Sequence, residues 1–284
     1  MSGAALLQVK KLTVRFGDSV VVNGVSFDVS AGEKLAIVGE SGSGKSITAL
    51  SVLRLVEAAK TSGQLLFGGE DLVQFTDEEM QRIRGGQIGM IFQEPMTALN
   101  PLYRVGHQIS EVLMLHERLE KKAARARAIE LLARTGIPAP EERVDFYPHQ
   151  LSGGQRQRAM IAMALACRPK LLICDEPTTA LDVTVQAQIL ALLEELQREI
   201  GMALVFITHD LNLVRRFTDR VAVMERGNLV EIGTTEAVFS APQHAYTQRL
   251  LATRPTRVVV PVADDAERLV EAHDVRISFA IPTG

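Results

Sequence analysis

Cysteine is scarce in this 284-residue chain: only Cys167 and Cys174 are present, which excludes a disulfide scaffold, and their spacing is not that of metal ligands. Two free thiols in a reducing compartment are expected. Nor does charge of one sign dominate. Lys+Arg total 31 and Asp+Glu 34, so 31 − 34 gives a net charge of −3 and no electrostatic case for binding nucleic acid. The longest run without a polar residue, Ala159 to Cys167, falls far short of the roughly 20 residues that span a bilayer, and Arg158 and Arg168 flank it. The opening MSGAALLQVKKL has too short an apolar stretch and no positive n-region, so it does not read as a signal peptide. These absences predict a cytosolic chain that reaches a membrane only by docking on another protein. The composition that remains, 46% hydrophobic and 23% charged, is that of an ordinary globular chain with a core to bury, not of a disordered or collagen-like one.

Leu6 to Phe16 and Val20 to Val29 alternate apolar and polar residues and read as two antiparallel strands around Gly17-Asp18. Lys34 to Val38 is a short apolar run that enters a glycine-rich loop, and Ser46 to Val56 has helical spacing, giving strand, loop and helix. Gln87 to Gln93 reads as a buried strand, and Arg104 to Thr135 as helical, before Pro138, Pro140 and Pro148 break it. A helix through Ala166, strand Lys170 to Cys174, helix Val183 to Ile200 and strand Ala203 to Thr208 follow. Strands alternating with helices predict a parallel sheet covered on both faces, with a helical subdomain inserted at about 94–166. Val221 to Ile232 reads as a hairpin turning at Arg226-Gly227-Asn228.

Gly39 to Ser46 reads GESGSGKS, a G-x-x-x-x-G-K-S loop placed after a strand and opening a helix, as its mechanism demands. The spacing through Gly39, Ser41, Gly42 and Gly44 lets backbone N–H groups face a β-phosphate. Lys45 brings a charge to the β- and γ-oxygens, and Ser46 brings a hydroxyl to Mg²⁺. Leu171 to Glu176 reads LLICDE, an apolar strand running into two carboxylates beside that loop. Asp175 suits a partner for Mg²⁺, while Glu176 can polarise a water at a γ-phosphate.

Leu151 to Gln155 reads LSGGQ. With these motifs in order, the chain resembles ATP-binding-cassette (ABC) ATPases over residues 7 to about 252. The resemblance implies an α/β P-loop NTPase fold with an antiparallel β-subdomain and an inserted α-helical subdomain, together occupying residues 6–252. It implies that Leu151, Ser152, Gly153, Gly154 and Gln155 act on the ATP of a second cassette, at a head-to-tail interface. Gln93 matches the loop glutamine that meets Mg²⁺ or water, His209 the switch histidine at the γ-phosphate, Asp182 the residue linking the two halves, and Phe16 the aromatic that stacks on adenine. ATP and Mg²⁺ are the implied ligands.

FQEPMTALNPLYRVGHQI at Phe92 to Ile109 and PQHAYTQRLL at Pro242 to Leu251 resemble the dipeptide/oligopeptide/nickel importer ATPases. Many single-cassette members of that group carry a cysteine-rich iron–sulfur segment after the second stretch; this chain has no cysteine beyond Cys174, so no iron–sulfur cluster is expected. Offset by 263 positions (270 − 7), Val270 to Phe279 aligns with Leu7 to Phe16, apolar on apolar at four positions and Phe279 on Phe16. Two unrelated strands can match this well. Read as a repeat, it makes 253–268 a linker and 269–284 the first strand of a second cassette, and the chain the N-terminal half of a fused pair. The expected partners are a second cassette, transmembrane permease subunits and, indirectly, an extracytoplasmic solute-binding protein, with the chain at the cytoplasmic face of the inner membrane. The alternatives are a soluble ABC ATPase in translation or DNA repair, and a nucleotide-gated structural module that does not hydrolyse.

Overall fold

The computed structural model describes residues 5–93, 98–177, 183–252, 271 and 273–276. The chain divides into two units, Met1–Ala252 and Thr253–Gly284.

The first unit opens with β1 (Ala5–Phe16) and β2 (Ser19–Ser30), paired antiparallel with Phe16 opposite Ser19. Alternation drives this hairpin: Leu7, Val9, Leu12 and Val14 face inward and are buried. β4 (Lys60–Phe67) pairs with the other edge of β1, and β5 (Glu70–Asp71) completes a four-stranded antiparallel sheet in the order β2-β1-β4-β5. The sequence signal for β4 is weak because its first half, KTSGQ, is exposed and only Leu65 and Phe67 near its end bury fully.

β3 (Lys34–Val38), β6 (Ile88–Ile91), β7 (Leu171–Asp175), β8 (Ala203–Ile207), β9 (Arg220–Glu225) and β10 (Asn228–Thr234) form the second sheet, ordered β10-β9-β3-β8-β7-β6. It is parallel except at the edge, where β10 returns antiparallel on β9 through Arg226-Gly227. Its central strands are apolar on both sides. Leu171, Ile173, Val205 and Ile207 enter the core shared with the β-layer and α1 (Lys45–Val52), while Leu172, Cys174, Leu204 and Phe206 pack with Ile189 and Leu193 of α7 (Val183–Ile200).

α1 ends four residues before the predicted Val56, because Arg54 takes a left-handed φ of 51° that turns the chain toward β4. α2 (Asp77–Ile83) then starts on a Thr76/Glu79 capping box. The predicted continuous helical stretch from Arg104 is two helices, α3 (Val105–Glu117) and α4 (Lys121–Arg134), separated where Arg118 takes φ 55°. With α6 (Gly153–Ala164) they enclose their own apolar cluster around Val105, Ile109, Leu113, Leu132 and Ala159, joined by Val144 just after the short α5 (Pro140–Arg143), which gives the helical insertion its own core. α8 (Leu211–Phe217), α9 (Thr235–Ser240) and α10 (Ala245–Ala252) complete the unit.

In the second unit only Glu271 and His273–Arg276 are described, and they carry no strand. Most of the predicted repeat strand over 270–279, the 253–268 linker, and the whole TALD stretch with Asp182 lie outside the described residues.

Candidate active site

Strand order builds the site. Because β3, β8, β7 and β6 are consecutive neighbours running in parallel, the loops leaving their C-terminal ends lie side by side. Those loops carry the phosphate-loop motif, His209, Asp175-Glu176 and Gln93 respectively.

After β3 the chain folds tightly against β9: a Cβ on Gly39 would lie 2.2 Å from the Met224 carbonyl oxygen. Gly44, at φ 96°, starts α1 from a left-handed conformation that a side chain would strain. Lys45 is buried, and its Nζ donates to the carbonyls of Gly39 (2.9 Å) and Glu40 (2.8 Å), curling the loop around the ammonium. Burial pushes this lysine below its ordinary pKa, and Glu176 and Asp175 pull in the opposite direction without restoring it. Ser46 Oγ donates to Asp175 Oδ1 at 2.9 Å, joining the first turn of α1 to the end of β7. Burial likewise raises the pKa of Asp175, with Glu176 adding to the shift and the Ser46 bond and Lys45 opposing it.

Glu176 follows in a left-handed conformation, φ 44°, which is sparsely populated for a side-chain-bearing residue. Its N–H donates to the Ile207 carbonyl at 3.0 Å, so β8 holds the turn in place. The turn aims the carboxylate between two neighbours: Gln93 Nε2 donates to Oε2 at 3.1 Å, and His209 Nδ1 lies 3.4 Å from Oε1. An open pocket of about 160 Å³ is lined by Val21, Ser41, Gly42, Gly44, Lys45, Ser46, Ile47, Gln93 and Glu176.

These are the features of a phosphate-binding loop facing a positioned carboxylate. A family profile described as ABC transporter matches residues 22–179. The chain belongs to the ABC transporter family. Within it, the chain is 53% identical to the "Peptidoglycan transport ATP-binding protein YejF" of Agrobacterium fabrum, over 98% of this chain and 52% of that protein. It is 54% identical to the "Oligopeptide transport ATP-binding protein OppD" of Bacillus subtilis, over 88% of this chain and 72% of that protein. The chain thus spans about half the length of the first relative. The dimeric ATP-binding cassette MJ0796, solved in a post-hydrolysis state bound to ADP and Pi, superposes with a TM-score of 0.72 at 30% identity, covering 81% of this chain and 98% of that one.

In this ABC chain the predicted residues Ser41, Gly42, Gly44, Lys45, Ser46, Gln93 and Glu176 line one pocket, with Asp175 bonded to Ser46 and His209 beside Glu176. LSGGQ does not join them. Ser152 caps α6, accepting from the Gln155 N–H at 3.3 Å, while the Gln155 side chain accepts from the Ser152 N–H at 3.2 Å. Leu151 is buried in the helical core, and Gly153 and Gly154 form the first turn of α6. Phe16, at the end of β1, is half-buried against the core and is not among the residues lining the pocket. Val21 is, although nothing in the sequence singles it out: β2 simply passes behind the loop, where a Cβ on Gly44 would lie 2.9 Å from the Val21 carbonyl. Among the described residues no helix is long and apolar enough to cross a membrane.

Proposed function

We propose that this chain is the ATP-hydrolysing subunit of a membrane importer for peptides or peptide-like solutes. The observation that carries the proposal is the Glu176 carboxylate, held between Gln93 and His209 and facing the phosphate loop. In this reading the loop amides and Lys45 bind the β- and γ-phosphates of ATP. Glu176 accepts a proton from water as its oxygen attacks the γ-phosphorus, and ADP leaves with the β–γ bridging oxygen. Gln93 and His209 orient that carboxylate and the water, and Phe16 stacks on the adenine.

The donor set fits Mg²⁺. Ser46 Oγ, Asp175 and Gln93 are oxygen ligands of the hard type this ion takes, and the buried Asp175 carboxylate, its pKa raised, gains from a cation. When bound, the ion neutralises charge developing on the phosphate oxygens.

The signature residues, which are not among those lining this chain's own pocket, fit the reading in which Ser152, Gly153 and Gly154 complete the site of a second cassette. The dimeric state of MJ0796 supports it. The names of the peptidoglycan and oligopeptide transport relatives support the solute class, and membership of a transporter family supports a place at the cytoplasmic face of a membrane, against permease subunits.

Light scattering on the Glu176→Gln protein, with and without Mg–ATP, tests the pairing. Doubled mass supports pairing with itself. ATP bound without a mass change assigns the pairing to a different cassette, and no ATP binding refutes the proposal.

A further inference from the structure

The segment PQHAYTQRLL, distinctive in the sequence, reaches the phosphate loop through Tyr246. Its start is tied to β10: the Glu231 carboxylate accepts the N–H of Gln243 at 2.8 Å and of His244 at 3.0 Å. His244 Nδ1 in turn accepts the Tyr246 N–H at 3.2 Å, fixing the first turn of α10. Tyr246 is only 4% exposed, and its ring packs in a cluster with Ala36, Val38, Val221 and Val223 beneath the end of β3. From there its Oη accepts the Glu40 N–H at 3.0 Å.

That N–H belongs to the peptide unit whose carbonyl is Gly39 O, which accepts from Lys45 Nζ at 2.9 Å. One peptide plane is therefore held at both ends, by a phenol on its N–H and by the ammonium on its C=O. On its Gly39 side the same plane abuts the Met224 carbonyl, where no Cβ would fit. We infer that Tyr246 is a positioning residue for nucleotide binding, its hydroxyl fixing the Gly39–Glu40 peptide so that the loop stays curled around Lys45. The inference rests on the ATP-binding reading above. Packing alone would be met by phenylalanine; among the described residues the hydrogen bond to the hydroxyl comes from the loop. Without it the Glu40 N–H loses its partner, the peptide can rotate, and the carbonyls that aim Lys45 lose their alignment.

The test uses the full chain with Tyr246→Phe and two readouts: amide hydrogen exchange at Glu40 in nucleotide-free protein, and affinity for a fluorescent ATP analogue with magnesium. The expected result is a Tm lowered by no more than about 2–4 °C, Glu40 exchanging about tenfold faster, and affinity lowered about three- to tenfold, the worth of one hydrogen bond. Unchanged exchange together with unchanged affinity overturns the inference. If the unmutated chain fails to bind the analogue, the ATP-binding reading falls, and Glu40 exchange still decides the positioning claim. Glu231→Ala loosens α10 from its other side and should also speed Glu40 exchange. Should Tyr246→Phe fail to fold, unchanged Glu40 exchange in Glu231→Ala overturns the inference.

Discussion

Gln93 and His209 approach the two oxygens of one carboxylate: Glu176 Oε2 accepts from Gln93 Nε2 at 3.1 Å, and Oε1 lies 3.4 Å from His209 Nδ1. The three residues leave three different strands, β6, β8 and β7, so the arrangement depends on the sheet and on no single loop. His209 is largely exposed, whereas Glu176 is mostly covered. The histidine side of the contact is therefore the one a bound nucleotide can reorganise. His209→Ala should leave nucleotide affinity near that of the unmutated chain and lower phosphate release about 10- to 100-fold, the cost of one hydrogen bond to a charged group. Steady-state kinetics in excess ATP measure it, and an unchanged kcat would remove His209 from the site.

Lys45 should behave in the opposite way. Its ammonium is buried and held by the Gly39 and Glu40 carbonyls, so its removal deletes a charge fixed at the loop. Lys45→Ala is expected to weaken ATP binding about 10- to 100-fold, by the same charged hydrogen-bond scale. Equilibrium titration with a fluorescent ATP analogue checks this.

Ser152 does structural work within its own chain. The capping box with Gln155 satisfies amides at the start of α6. Ser152→Ala should therefore cost about 1 kcal/mol and lower Tm by about 2–4 °C, read by differential scanning calorimetry on the chain without nucleotide.

The two thiols should be quiet. Cys174 is fully buried behind Asp175, and burial pushes its thiol well up; Cys167 is half-covered, its thiol pushed up to about 11. Because the thiolate is the reactive form, neither should react readily with a disulfide reagent at pH 8 in folded protein, and both should react in denaturant. Rapid labelling of either cysteine in the folded chain would contradict the burial described here.

The parts of this fold readable from sequence are those where local pattern and tertiary role coincide. β3 and β7 are short apolar runs ending in glycines or carboxylates, and their ends are where the site forms. β4 was not readable, because half of it is exposed and Gly63 sits in a left-handed conformation where a Cβ would lie 2.6 Å from the Lys10 and Lys11 carbonyls. The break at Arg118 was hidden because arginine carries no turn signal; tertiary packing of α3 on α4 imposes it. In the site, the motifs named the loop, Asp175, Glu176, Gln93 and His209. They could not name Val21 or Tyr246, whose roles come from where β2 and α10 pass in three dimensions.

In the function proposed above, Glu176 is the group that activates water for ATP hydrolysis. Nucleotide binding and phosphate release, measured side by side on the unmutated chain and on Glu176→Gln, test it most directly. The substitution preserves size and removes the basic carboxylate. Glu176→Gln is expected to bind Mg–ATP as well as the unmutated chain does but to release phosphate about 10²- to 10⁴-fold more slowly, the span of a lost general base. Phosphate release by Glu176→Gln at the rate of the unmutated chain would contradict it.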